Sequence, residues 1–431
     1  MNWAARYRFK LYVSNSIWIF PVLSILAGMV AVRLLNGIDR ALGWEINIGV
    51  DTARTVMGTV AASMFTLVVV SASAVLVAVQ LAGAQLTPRI IVLVYRSRIR
   101  KFCVSVFVFT FTFSVSALVR IESTVPLITS YVAAYGFLIN LALFLYFIDE
   151  MGKTLRPSAA LQKVGLAGRQ VVQSVYPSRL RKDQPLISKP LETLKQDPHR
   201  LIINEVDGVV LAFDLRGLTA MAESSNCLLE LVPQVGDFIA AGDPLFRIFE
   251  GGDNLSEDTL RNSIAMGQER TMEQDPTYAF RIIVDIASKA LSPAINDPTT
   301  AVLAIDQIHH LLRNVGMRSL AEGRETDRQG RLRLVYRTPD WEDFVHLAVT
   351  EIRQYGRDSI QIMRRLRAML ENLIETLPER RAPMLRLELS LLQASAKRVF
   401  EDLYDQSLAE TGDLQGMGGG EYREPGIPAI A

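Results

Sequence analysis

Cysteine is nearly absent: Cys103 and Cys227 are the only two in 431 residues, one inside an apolar run and one in a charge-rich part. A bridge between them would have to join two different solvents, so both read as reduced thiols and no disulfide framework holds the fold. Histidine is scarce too, limited to His199, His309, His310 and His346. The adjacent pair points in different directions on a helix and has no cysteine or further histidine at ligand spacing, which argues against zinc. An excess of one charge is also missing. Forty-six Lys and Arg face 45 Asp and Glu, for a formal +1, so no global field recruits nucleic acid or acidic substrates. Phosphate-loop, dinucleotide and nucleophile-elbow glycine patterns do not occur, which removes support for nucleotide enzymes and serine hydrolases. No cofactor, metal or catalytic residue is indicated.

Charge is thin in the first third. Between Ile17 and Ile148 the apolar runs are long, and nearly all Asp, Glu, Lys and Arg follow Asp149. The overall 49% hydrophobic and 21% charged residues therefore average two parts that face different solvents. A helix crossing about 30 Å of hydrocarbon needs about 20 apolar residues, and its backbone must satisfy itself. Four segments qualify, at about 16–32, 56–86, 102–119 and 125–148. The second, at 1.5 Å per residue, would reach ~46 Å, so it must tilt or project into water. Arg6, Arg8 and Lys10 before the first apolar run imitate a signal peptide, but three more runs follow and no small-residue cleavage site is evident. The first segment reads as a retained helix.

Lys and Arg collect on the cytoplasmic side of short loops. The N-terminus and second connection hold Arg6, Arg8, Lys10, Arg89, Arg96, Arg98, Arg100 and Lys101 without an acid, whereas Arg33, Arg40, Arg54 and Arg120 in the other two connections are balanced by Asp39, Glu45, Asp51 and Glu122. Both termini are then expected in the cytosol. The cluster from Arg96 to Lys101 would lie at the inner headgroups as a topological anchor or a lipid site.

Along the second apolar segment Thr59, Ser63, Thr66, Ser73 and Gln80 recur at intervals of three, four or seven and share one helical face. Such a seam either lets helices pack closely and hydrogen-bond, or lines a hydrated path when several copies surround an axis. In the third segment Phe107, Phe109, Phe111 and Phe113 alternate with smaller residues, but the span is too apolar and isolated for a barrel and reads as structural bulk.

The charged remainder is expected as a helical linker over 151–200, a small β module over 201–250, a helical cytosolic domain over 256–408 and a disordered tail over 411–431, behind a transmembrane domain over 1–150. Val235-Gly-Asp-Phe-Ile-Ala-Ala-Gly-Asp-Pro-Leu resembles the turn-and-strand signature of the flattened β-barrel of biotinyl and lipoyl carriers. No lysine lies between Lys195 and Lys289, so the carriers' attachment chemistry is absent. Further on, Leu291-Ser-Pro-Ala-Ile-Asn-Asp-Pro-Thr-Thr-Ala breaks a helical pattern, with Pro293 stopping one helix, Asp297 placed to cap the next and Pro298 at its first position.

With that break, Gly267-Gln-Glu-Arg-Thr, Gln274-Asp-Pro, the Arg281 to Ala301 region and Pro339-Asp-Trp-Glu-Asp-Phe, the chain resembles a bacterial family of predicted multi-pass membrane proteins of unknown function, up to about residue 410. The resemblance implies architecture and assigns no activity. Read physically, Glu269, Arg270, Asp275, Arg281, Asp285, Asn296 and Asp297 form either a ligand or ion site that uses free helix N-terminal amides, or a polar network that fixes packing.

The sequence thus describes a mainly α membrane protein with four transmembrane helices, an α+β cytosolic domain with a β-barrel-like module and a helical layer. Its leading functional expectation is a homo-oligomeric channel or transport-like protein of the cytoplasmic membrane, in which the seam lies near the symmetry axis and the cytosolic domain gates. The rival is a membrane-anchored scaffold or sensory protein that binds a cytosolic partner or small ligand. The bilayer and a second copy are the expected partners, with an ion or small molecule as cargo or ligand.

Overall fold

In the computed structural model, residues 2–44, 48–91, 96–121, 125–154, 156–180, 197–320 and 323–418 are described. They fall into two units, Lys10–Ala160 and a second made of Met1–Phe9 with Leu161–Ala431. Helices α1 (Trp3–Asn15), α2 (Ile19–Leu42), α3 (Val50–Gln85), α4 (Arg98–Leu118) and α5 (Leu127–Thr154) account for the first third, and α2 to α5 are each long and apolar enough to cross a membrane. All four expected segments are there, with shifted ends. The first runs on to Leu42 because its polar end finds partners: Asp39 accepts from the backbone N–H groups of Ile128 (2.9 Å) and Thr129 (3.1 Å). The Thr129 hydroxyl lies 2.7 Å from Asn36 and 3.0 Å from Asp39. A carboxylate there satisfies amides that the start of α5 leaves open and meets the positive end of its dipole.

Helix α4 is the hub. Of its apolar window 44% is buried, against 17–22% in the other three helices. The phenylalanines explain this: Phe107 and Phe113 are fully enclosed, Phe107 meets Phe144 and Phe147 edge-on at 6.4 Å, and Phe111 meets Phe65 at 5.8 Å. Aromatic bulk pointing round a helix suits the helix that is surrounded. The basic cluster at the start of α4 is partly spent inside this unit. Lys101 donates to the Val13 and Ser14 carbonyls and Arg96 to the Asn15 side chain, which caps the C-terminus of α1.

Helix α6 (Pro157–Val175) carries the chain into the second unit, and residues 181–196 of the expected linker lie outside the described residues. Strands β1 (Arg200–Ile203), β2 (Gly208–Phe213), β3 (Leu228–Leu231), β4 (Phe238–Ile239), β5 (Pro244–Phe249), β6 (Ile264–Gly267), β7 (Gly323–Thr326) and β8 (Leu332–Tyr336) build two sheets. One has the order β1-β5-β3-β8-β7 and the other β4-β2-β6. The barrel-like expectation is corrected: neither sheet closes on itself among the described residues, and the β region is not confined to 201–250. Strand β3 pairs in parallel with β8, from about a hundred residues later, and β2 takes β6 as a partner. A strand edge needs hydrogen bonds, and the chain supplies them from afar instead of by local closure. Ile202, Val210, Leu229, Phe246 and Leu334 bring both sheets to one apolar core.

Helices α7 (Leu215–Ser224) and α8 (Glu257–Arg261) interrupt these strands, and α9 (Pro276–Ala290), α10 (Pro298–Gly316), α11 (Trp341–Tyr355), α12 (Ile360–Thr376), α13 (Ala382–Val399) and α14 (Leu403–Ala409) form the helical layer. Helix α9 lies inside it, with Phe280, Ile283, Val284 and Ile286 fully buried. The apolar segment from Trp341 to Leu377 is two helices, because α11 ends at Gly356 and Ser359 caps α12. The expected tail also starts differently. Buried Asp413 gathers the amides of Gln415, Gly416 and Gly418, and Arg364 on α12 binds the Thr411 and Gly418 carbonyls. Residues 411–418 are therefore docked, and 419–431 lie outside the described residues.

Close approach of α2 to α4 rests on Gly28, where an added Cβ would stand 3.1 Å from the Phe109 carbonyl oxygen and 3.3 Å from Thr112 Cβ. Small residues permit such contact in lipid. Gly28→Leu is expected to destabilise the membrane unit by about 1–3 kcal/mol, read as a lower midpoint of thermal unfolding in detergent. Gly37→Ala, with nothing within 4 Å of its Cβ, serves as the neutral control.

Candidate functional site

The face of α3 that packs within the chain is Ala53, Met57, Val60, Ala61, Met64, Ser71, Ala78 and Ala82. The polar seam is on the other side. Thr59, Thr66, Ser73 and Gln80 are exposed and Ser63 is half-buried. The Thr59 and Thr66 hydroxyls donate to the carbonyls of Thr55 (2.8 Å) and Ala62 (3.0 Å) on their own helix. Thr59 and Ser63 also border an open cavity of 410 Å³ whose far wall is Ala134, Phe137 and Leu138 of α5. The seam is thus an outer surface of the four-helix unit, and the close intrachain packing use of it is set aside.

In the second unit the seven polar candidates separate into distinct places. Asp275 is 2% exposed and caps α9, accepting from the Thr277 amide (2.9 Å) and hydroxyl and from the Tyr278 amide (3.1 Å). Its second oxygen faces Arg270 at 3.8 Å. Gly236, at φ +97, lies so close that a Cβ there would come 2.7 Å from that oxygen. The preceding Gln274 spans to the Phe213 backbone, accepting from its amide at 3.1 Å and tying α9 to β2. One and two turns along α9, Arg281 binds Asp285 and, through both nitrogens, the two oxygens of Glu351 on α11. Beyond the far end, Asn296 sits in the left-handed region at φ 49 and is exposed. Asp297 caps α10 through the Thr300 amide (3.0 Å) and hydroxyl, as the sequence indicated. Glu269 is exposed.

Asp275 and Asp297 therefore stand at opposite ends of a fifteen-residue helix, about 22 Å apart at 1.5 Å per residue. They cannot share a ligand. The N-terminal amides that an anion would need are held by the protein's own carboxylates at both α9 and α10. The contacts these groups make join α9 to α11 and set the starts of α9 and α10. The bidentate Glu351 was invisible in the sequence because its partner is seventy residues away; Gln274 and Asp275 before a proline carried a local capping signal. Among the described residues no three of His, Cys, Asp or Glu gather as metal ligands, and His309 contacts Asn372 at 2.9 Å.

Electrostatics follow burial. Loss of water pushes the Asp275 carboxyl up, against the Thr277 hydrogen bond and the Arg270 charge that pull it down. The Glu351 hydrogen bonds and Asp285 raise Arg281 above its already high ordinary value. For Asp275 the folded pKa exceeds the unfolded one, so its contribution to stability is full below the ordinary carboxylate value and is lost as pH rises through the raised one. Asp275→Asn keeps a capping acceptor and is expected to flatten that acid-side slope with a small change at neutral pH. Asp275→Ala should cost about 1–2 kcal/mol. Thermal unfolding of the full chain across pH 3–7 distinguishes the two.

A family model described as "Predicted membrane protein (DUF2254)" matches residues 14–372. An uncharacterized protein of Mycobacterium bovis is similar at 24% identity over 419 residues, spanning 92% of this chain and 79% of that protein. Uncharacterized proteins from two strains of Mycobacterium tuberculosis are similar at the same identity and coverage. No solved structure matches the chain.

Proposed function

Because the chain belongs to the family of predicted membrane proteins DUF2254, whose description fixes a place in lipid and no activity, we propose that it acts there as a homo-oligomer of channel or transport type, without catalytic chemistry. The observation that carries this reading is the outward seam on α3. Thr66, Ser73 and Gln80 are exposed on a helix whose opposite face is already packed. Lipid tails gain nothing from a hydroxyl or an amide, whereas a second copy or water does. Copies placed with their α3 faces round an axis would give the seam that environment, and closed rotational symmetry is the simplest way to do so. The acid-free basic segments from Arg6 to Lys10 and from Arg89 to Lys101 support the cytoplasmic membrane with both termini in the cytosol. The second unit then serves to gate, with Asp275, Arg281, Asp285 and Asp297 holding its helices in place.

One observation favours a second reading, an anchored scaffold or sensor. The Thr59 and Thr66 hydroxyls are already bonded to their own helix, so that part of the seam tolerates lipid.

Oxidation of membranes bearing Thr66→Cys is expected to give disulfide-linked dimers, whereas Met64→Cys, on the packed face, gives none; Cys103 and Cys227 are buried. In liposomes the wild type should pass small ions, and the Thr66→Leu, Ser73→Leu pair should lower flux roughly tenfold or more. Absence of crosslinks together with zero flux in both proteins sinks the channel reading and favours the scaffold.

A further inference from the structure

The basic cluster at the start of α4 is only partly used by the chain, and the remainder marks a surface independent of the α3 seam. Arg96 and Lys101 are spent on the last turn of α1, and Arg100 is buried with a nitrogen 3.8 Å from Met151 Sδ. Arg98, between them, is exposed and has no hydrogen-bond or ion-pair partner among the described residues. Lys10 is in the same condition. It lies one turn before the Val13 and Ser14 carbonyls that Lys101 holds, so two free cations flank the joint where α1 meets α4.

No acid of this unit answers them. Residues 1–38 and 52–121 contain no Asp or Glu. Of the two acids near the end of α5, Asp149 binds Lys153 and the charge of Glu150 falls on Arg100. The complementary charge comes from outside the chain, and the apolar surroundings say what carries it. Phe102, one turn on from Arg98 and on the same helical face, is more than half exposed, as are Tyr12 and Trp18 on either side of the end of α1. Phe20, at the start of α2, lies 5.6 Å from Lys101 Nζ. Tyr and Trp exposed beside cations mark the boundary between lipid and water. A soluble anion gains nothing from these rings, whereas a phospholipid sets its phosphate against the cations and its acyl chains against the rings. Arg offers phosphate paired donors, and Lys a mobile point charge. A choline headgroup brings its own cation beside the phosphate and a glycerol headgroup does not, so charge complementarity selects an anionic lipid.

We propose that the joint between α1 and α4 binds the phosphate of an anionic phospholipid, with Lys10 and Arg98 as its cations and with Phe102 and Trp18 beside its acyl chains. The site needs one copy of the chain and does not depend on the channel reading.

The test is native mass spectrometry of the full chain in a nonionic detergent, mixed with equal amounts of phosphatidylglycerol and phosphatidylcholine of matched acyl chains. Phosphatidylglycerol is expected to be retained roughly tenfold over phosphatidylcholine, as two cations near a headgroup imply. Lys10→Gln with Arg98→Gln should bring the two lipids to parity, whereas Lys10→Arg with Arg98→Lys keeps the preference. Both positions are exposed, so these variants should melt at the wild-type midpoint. Arg33→Gln with Arg40→Gln, exposed on α2, removes the same charge and should leave the preference in place. Equal retention of the two lipids by the wild type overturns the proposal, as does a preference that survives Lys10→Gln with Arg98→Gln or that falls equally in the Arg33, Arg40 control. Displacement of the lipid by inorganic phosphate, but not by chloride at equal ionic strength, overturns it too, in favour of a soluble anion. The readout involves no ion flux, so this test and that of the channel reading fail separately.

Discussion

Hydrocarbon offers no hydrogen bonds, and that constraint organises the first third of this protein. Each polar group carried into it must be answered by the chain itself. Thr59 and Thr66 answer with the carbonyl four residues back. Asp39 caps the start of α5 at the membrane unit's edge. Thr110 takes one donor of Asn140. Where polar groups face outward, as along α3, the structure leaves room for a second copy.

The second unit works under the opposite condition, with water available, and spends its carboxylates on geometry. Asp214, Asp275, Asp297, Asp340 and Asp402 each cap a helix, and Glu351 and Glu388 bind arginines from neighbouring turns or helices. A carboxylate that fills a helix N-terminus removes an anion site and sets where the helix begins. The polar motifs around α9 and α10 are therefore read as joints of the fold. Asp275, Arg281, Asp285 and Asp297 each make hydrogen bonds within the fold, and the functional reading rests on the membrane unit.

Much of this was legible from residues alone. Four apolar runs gave four helices, because length and composition suffice when the solvent is hydrocarbon. Asp297 before Pro298 gave a helix start, since a capping signal is local. The β region was legible as strands but not as sheets. Val235 to Leu245 suggested a closed module, yet β3 takes its parallel neighbour from Leu332–Tyr336, and pairing across that separation leaves no periodic trace. The seam on α3 was visible as a stripe, but its outward direction depended on which face α4 covers.

The sequence by itself determined which segments lie in lipid and where capped helices begin, since both follow from the transfer energy and local hydrogen bonding of residues close in the chain. Only the tertiary structure decided which sides of those helices are used up. Phe107 and Phe113 bury two different sides of α4, Glu351 reaches Arg281 from a distant helix, and Asn140 meets Thr110 across two helices. These are contacts between residues far apart in sequence, fixed by packing of whole faces and not by any neighbour in the chain.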